Sequence, residues 1–282
     1  MKKIRHYTGD CFTFHQEVVR SKRSETLRTH MDAIINDVRG QFDAYRTGFE
    51  GNNLARLEPL ELSDSQKEEL CSLYSYKAKK FRELRRTLTV DEQNRPHETC
   101  PYCTIGPINS FDHFLPQSEF AELSDNPLNL IPACTECNGH KNNVWRKNGG
   151  SLFLNLYTDD IPEQQYLFVA LNIDGQSVDA QFEVQNPNAI IEDTLFDKIA
   201  YHYEKLELCH RFRMQREEVL SPLANEIHSL HSILDDSQII QVVYLHIENE
   251  RRRYGFNYWK AILMEEVCRN KVIFDFFKKQ PY

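Results

Sequence analysis

The sequence predicts an α+β fold, mostly helical, with a short cysteine-clamped segment at its centre and a small β-hairpin behind it. Three observations predict this. Apolar residues recur at helical spacing through long stretches of both halves. Two Cys-x-x-Cys pairs, Cys100/Cys103 and Cys134/Cys137, close off a stretch in the middle. Strand-like patterning of any length is confined to residues 166–184.

From the N-terminus, residues 25–46 carry Leu27, Met31, Ile34, Ile35, Val38 and Phe42 at helical spacing, until Gly48 and Gly51-Asn52-Asn53 break the pattern. A second helix opens at Leu62-Ser63-Asp64, with Ser63 or Asp64 as N-cap and an acidic first turn. It runs through Leu70, Leu73, Tyr74, Phe81, Leu84 and Leu88 and ends before the polar linker at 91–96. Residues 1–95 thus read as a helical N-terminal region. Past the cysteines, residues 151–157 suit a strand or an extended segment. Residues 166–173 read as a strand, Asp174-Gly175 as a turn, and 178–184 alternate as Val-Asp-Ala-Gln-Phe-Glu-Val, a half-buried strand. Helix returns at 195–219, 222–234, 237–253 and 261–277. The region 151–282 is therefore a hairpin followed by helices, whose apolar stripes read as core. No catalytic role follows for it.

With 282 residues, 40% of them hydrophobic, one large or two small domains are expected. No apolar run approaches the ~18 residues of a membrane span, and the basic start Met-Lys-Lys-Ile-Arg-His-Tyr has no apolar stretch behind it. A cytoplasmic protein without membrane contact is expected. The net charge of −8 excludes a simple nucleic-acid-coating protein, which would be basic. Any action on a polyanion needs locally concentrated positive charge or a partner's surface. One basic cluster is Lys77, Lys79, Lys80, Arg82, Arg85 and Arg86; another is Arg251-Arg252-Arg253, followed by Tyr254, Phe256, Tyr258 and Trp259. The second could equally be a solvated helix face; the first stands just ahead of the cysteine segment, which favours phosphate contact over that reading.

Four thiolates at paired spacing can close a tetrahedral zinc shell. The redox reading of Cys100-Pro-Tyr-Cys103 needs a strand-to-helix junction, whereas Thr-Ile-Gly-Pro, a turn, follows here. A secreted disulfide framework is disfavoured for want of a signal peptide. His97 could compete for the zinc. Cys11, Cys71, Cys209 and Cys268 lie among apolar residues and read as core thiols. Between and just after the cysteines stand Asp112-His113, Pro116, Asn129-Leu130, Asn138 and Lys141. An ionised carboxylate suits a hard cation. A histidine with an ordinary pKa near 6.5 suits proton abstraction from water.

This order of residues, spanning 96–148, resembles the HNH endonuclease family in its zinc-stapled, four-cysteine branch. The resemblance implies a ββα-metal finger over 96–150. Its strands would lie around Ser110 to His113 and near Leu130-Ile131, with a polar loop at 117–127 and a helix starting about Thr135. It implies hydrolysis of DNA phosphodiester bonds. His113 would be general base, Asp112 and Asn138 ligands of a catalytic Mg²⁺ or Mn²⁺, and Asn129 the residue orienting the loop and base. Lys141 would contact phosphate. His140 stays open between an extra ligand, a phosphate contact and an exposed helix residue. Lys79, Lys80, Arg82 and Arg86 are the expected DNA contacts outside the finger.

The flanks, with Leu73-Tyr74-Ser75-Tyr76-Lys77 ahead of Phe111-Asp112-His113-Phe114-Leu115-Pro116, look like those of PtuB, the nuclease subunit of Septu-type antiphage defence systems. That likeness implies an ATPase partner of the PtuA kind. The chain itself lacks a Gly-x-x-x-x-Gly-Lys-Ser/Thr motif. Two alternatives stand beside it. One is a solitary HNH nuclease of a restriction system or mobile element. The other is a non-catalytic zinc-dependent nucleic-acid-binding module, against which the intact Asp112, His113, Asn129 and Asn138 argue.

Overall fold

The computed structural model describes residues 1–91, 93–147 and 149–279. They form two compact units, one of Lys3–Asp160 and one from Ile161 onward that also takes in Met1–Lys2. Helix makes up 53% of the chain and, among the described residues, the strands pair antiparallel in twos, so the class is α+β and mostly helical. Among the described residues no helix is long and apolar enough to cross a membrane.

The Lys3–Asp160 unit begins with α1 (Cys11–Ser21), capped by Asp10 accepting from the Thr13 N–H at 2.6 Å. It lies ahead of the first stretch whose spacing predicts helix. The helix expected over 25–46 is two: α2 (Glu25–Ala33), capped by Ser24, and α3 (Ile35–Glu50), separated where Ile34 leaves helical geometry. The helix expected from Ser63 to Leu88 is also two. α4 (Asp64–Leu73) starts on a capping box between Ser63 and Gln66, and α5 (Lys79–Leu88) follows a turn. The break falls at Tyr74, whose backbone is extended (φ −72°, ψ 134°). That geometry lets its ring meet Phe81 (5.1 Å) and His113 (4.7 Å) edge-on. A tertiary contact overrides the helical period here.

Beyond the linker the chain forms β1 (Ser110–His113) and β2 (Leu130–Ala133), paired antiparallel with Asp112 opposite Ile131 and His113 opposite Leu130. α6 (Thr135–Lys141) packs on β1. A minimal pair, β3 (Arg146–Lys147) with β4 (Gly150–Ser151), follows. Within 151–157, expected as a strand or an extended segment, strand is confined to Ser151. Phe153, Leu154, Leu156 and Tyr157 are buried in a turn that Asn155 Oδ1 holds by accepting from Tyr157 N–H.

The second unit opens with the anticipated hairpin, β5 (Leu167–Asp174) and β6 (Ser177–Val184), turned at Gly175. Val178, Ala180 and Phe182 are buried, as the alternation requires. Helices α7 (Asp193–Lys205), α8 (Leu208–Met214), α9 (Glu217–Leu230), α10 (Asp236–Tyr254), α11 (Trp259–Arg269) and α12 (Lys271–Lys279) complete it. The stretch expected as 195–219 breaks at Glu207, which is left-handed (φ 53°). The stretch expected as 261–277 breaks at Asn270, whose side chain accepts from the Ile273 N–H. Pro222, expected to start a helix, lies inside α9. α10 stops at Gly255 (φ 97°), where any Cβ would collide with the Met1 carbonyl oxygen. The basic cluster at its end is partly structural: Arg251 donates to the Phe256 carbonyl and to Glu265.

Candidate active site

The sulfurs of Cys100, Cys103, Cys134 and Cys137 all lie within 4.8 Å of one another, and all four residues are buried. Cys103 Sγ and Cys134 Sγ are 3.8 Å apart. Four ligands about 2.3 Å from a tetrahedral zinc are about 3.8 Å from each other, so the donor set and its size suit that ion. Backbone amides already point at the sulfurs: Ile105 N–H donates to Cys103 and Cys137 N–H to Cys134. A hydrogen bond from Cys100 holds the Cys103 thiol down to about 7. Cys134 is also the N-cap of α6, so one side chain serves clamp and helix start. His97 lies outside the metal-sized cluster.

The clamp sets α6 against β1. Asn138 and Lys141, three residues apart and therefore on one helix face, both reach that strand. Asn138 Nδ2 donates to the Phe111 carbonyl (3.1 Å), which leaves its amide oxygen to serve a cation. An open cleft of ≈ 680 Å³ exposes this corner, lined among others by Tyr74, Asp112, His113, Gln117, Asn138 and Asn143. Asp112, His113 and Asn138 are thus brought together. An ionised carboxylate and an amide oxygen are hard donors, fitting Mg²⁺ or Mn²⁺. His140 is half-buried and does not line the cleft.

His113 is buried, and Nε2 lies 2.8 Å from the Ser124 carbonyl oxygen. A carbonyl only accepts, so Nε2 carries the proton and Nδ1 keeps its lone pair. Gln117 Nε2 lies against the same ring edge, 3.2 Å from Nδ1 and 3.1 Å from Nε2. With Nε2–H committed, Nδ1 is the atom able to accept. Burial lowers the His113 pKa to about 4, partly opposed by the Ser124 bond and the Asp112 charge. The ring is therefore not near its ordinary 6.5, as the sequence suggested, but is firmly neutral at pH 7.

Asn129 is fully buried and staples the loop between the strands. Its Oδ1 accepts from Leu115 N–H (2.8 Å), and its Nδ2 donates to the carbonyls of Leu115 (2.9 Å) and Leu123 (3.3 Å). The Tyr45 hydroxyl from α3 comes within 3.3 Å of the same Oδ1. The loop looks polar in sequence yet is buried from Phe120 to Pro127: Glu122, Ser124, Asp125 and Asn126 are each 1% exposed. Every one is bonded. Glu122 accepts from Gln41 and Leu60 N–H, Ser124 Oγ donates to Ala121, Asp125 meets His15, and Asn126 caps Leu128 N–H.

Lys141 requires a correction. The resemblance puts it at phosphate, but its side chain is 0% exposed and its ammonium donates to Asp112 Oδ1 (3.0 Å) and the carbonyls of His113 (2.8 Å) and Phe114 (3.3 Å). It binds β1 and the residue that follows it, not solvent. Asp112 receives a second bond from the Tyr102 hydroxyl on Oδ2 (2.8 Å). An ionised carboxylate has roughly four acceptor sites, so both partners leave capacity for a cation. Sequence reading missed Tyr102, although it stands inside the Cys-Pro-Tyr-Cys motif.

On α5, Phe81, Leu84 and Leu88 are buried, while Lys79, Arg82 and Arg86 share one exposed stripe at helical spacing. Lys80 stands apart, paired with Glu17 at 2.6 Å. α5 follows directly on the turn that carries Tyr74 into the cleft and packs Tyr76 on Phe111 (5.6 Å).

Residues 100–144 match the model of the HNH endonuclease family. They are an HNH endonuclease domain. The chain is also similar to protein ea31 of Escherichia phage lambda, 26% identical over 238 residues covering 79% of this chain and 78% of that one. That likeness reaches well beyond the HNH domain into its flanks. No solved structure matches the chain.

Proposed function

We propose that the protein is a metal-dependent HNH endonuclease that hydrolyses DNA phosphodiester bonds. The observation that carries this reading is the neutral His113, its Nε2–H committed to the Ser124 carbonyl, beside Asp112 and Asn138 at an open cleft. A water replacing Gln117 at Nδ1 gives its proton to that nitrogen and attacks phosphorus in line. The bond to the 3′-oxygen breaks, leaving 5′-phosphate and 3′-hydroxyl ends once the leaving oxygen takes a proton. The phosphate's negative charge beside the ring favours imidazolium, offsetting the burial that lowers its pKa. A divalent ion on Asp112 and Asn138 would supply charge stabilisation at the phosphate and the leaving oxygen. The exposed stripe of α5, with Lys79, Arg82 and Arg86, contacts neighbouring phosphates, with Lys80 released from Glu17 to join it.

The test is His113→Ala, assayed on plasmid DNA with Mg²⁺ or Mn²⁺. Cleavage should vanish while zinc content and thermal stability stay at wild-type levels. Near wild-type cleavage would place the base elsewhere. The flanking motifs support an effector role in an antiphage complex with a PtuA-like ATPase. The phage-borne relative, which shares the flanks, supports instead a nuclease of a mobile element working alone. Affinity purification from the native host separates them: a stoichiometric ATPase favours the complex, and a chain that purifies alone and cuts DNA favours the second.

A further inference from the structure

We propose that His15, on α1 and outside the HNH domain, is a positioning residue for His113. It acts through a buried ion pair with Asp125 on the Ser124 carbonyl that selects the catalytic tautomer. The proposal rests on the reading of His113 as general base.

His15 and Asp125 are each 1% exposed. His15 Nδ1 lies 3.0 Å from both carboxylate oxygens, so it donates to a carboxylate presented edge-on. The imidazole is wedged against Phe12 (5.7 Å, stacked) and Phe42 (5.3 Å), which hold the ring plane and exclude water. In so dry a site the pair's attraction is scarcely screened. The consequence for His113 is geometric. The Ser124 carbonyl belongs to the same planar peptide unit as the Asp125 N–H. Turning that carbonyl away from His113 rotates the plane, changing ψ of Ser124 and φ of Asp125 and tilting the Asp125 Cα–Cβ bond, and with it the carboxylate that His15 holds. The other end of the unit is tied by Ser124 Oγ to the Ala121 carbonyl at 2.6 Å. With both ends held, the carbonyl faces His113 Nε2 at 2.8 Å. This keeps the proton on Nε2 and the lone pair on Nδ1, at the cleft. Asn129 staples the loop's flanks at Leu115 and Leu123. His15 fixes the one carbonyl that the base needs.

The experiment uses full-length, zinc-loaded protein with ¹⁵N-labelled histidine. Long-range ¹H–¹⁵N spectra of the His113 ring, assigned by its loss in His113→Ala, report its tautomer. Single-turnover cleavage and DNA Kd are measured alongside. Three variants are compared: His15→Leu removes the donor, His15→Asn returns an amide N–H near the place of Nδ1, and Asp125→Asn keeps the loop's shape without the charge. Wild-type His113 should show the Nε2–H tautomer alone. His15→Leu should show both tautomers, with cleavage slowed by about tenfold or more, within the ~10²–10⁴ that a positioned base supplies. DNA Kd should be unchanged, and His15→Asn should recover most of both effects. Should His15→Leu fail to fold, Asp125→Asn decides, with tautomer mixing expected there too. Unaltered His113 signals in every folded variant would overturn the proposal. Because the tautomer is read without DNA, that failure is distinct from retained cleavage in His113→Ala, which would sink the nuclease mechanism itself.

Discussion

Replacing Lys141 with methionine separates the two roles a lysine at this position could have. The Lys141–Asp112 pair has side-chain exposures of 0% and 2%. Methionine keeps most of the volume but strands Asp112 with the Tyr102 hydroxyl alone and takes a donor from two buried carbonyls. Removing one partner of such a pair costs about 3–5 kcal/mol, because an uncompensated charge stays buried. For a unit of this length each kcal/mol lowers Tm by roughly 2–4 °C. The expected drop is therefore roughly 6–20 °C by differential scanning calorimetry of zinc-loaded protein. Adding Asp112→Asn should restore part of it, since the stranded charge goes too. A lysine bound to phosphate at the surface would behave differently: Tm would hold, and the salt slope of DNA binding would fall by about one. A Lys141→Met protein melting within about 2 °C of wild type, less than one kcal/mol is worth, would refute the buried-pair reasoning.

Three further outcomes follow from the same structure. Elemental analysis should find about one zinc per chain, lost in Cys134→Ser, and strong chelators should unfold the segment around α6 as seen by hydrogen exchange; zinc-free folded protein with two disulfides would contradict this. Reversing Lys79, Lys80, Arg82 and Arg86 to glutamate should weaken DNA binding and flatten its salt dependence by about 0.9 for each phosphate that is no longer neutralised; unchanged tight binding by the free chain would mean the basic surface lies elsewhere. The His15 pair should make stability fall with rising pH. Burial by itself would lower the His15 pKa, but the Asp125 carboxylate more than offsets this and raises it, with Lys22 as the other charge felt by Asp125. The folded value thus exceeds the unfolded ~6.5. The contribution is complete below that and disappears as pH climbs through the folded pKa. In His15→Asn the slope of Tm against pH in that window should flatten, and an unchanged slope would count against the pair.

Short-range pattern by itself determined much of this protein. Cysteine spacing located the clamp, because a tetrahedral shell needs two knuckles and little else. The β5–β6 hairpin was legible from the apolar run before Gly175 and the alternation after it, whereas β1 and the start of α6 were placed by the resemblance to the HNH family. Helix content was legible too, but not its interruptions at Ile34, Tyr74, Glu207 and Asn270, since each break is set by what the local backbone meets or bonds rather than by period. The chemistry of the site depended on partners far away in the chain. Lys141 looks like any solvated charge until β1 and the residue after it fold over it and supply a carboxylate and two carbonyls. The polar loop 117–127 looks solvent-facing until α1 and α3 cover it and pair His15 with Asp125 and Gln41 with Glu122. A sequence names the polar groups; only the tertiary structure decides which are desolvated and which partner satisfies them. That decision fixes charge state and tautomer, here the neutral His113 with its lone pair on Nδ1.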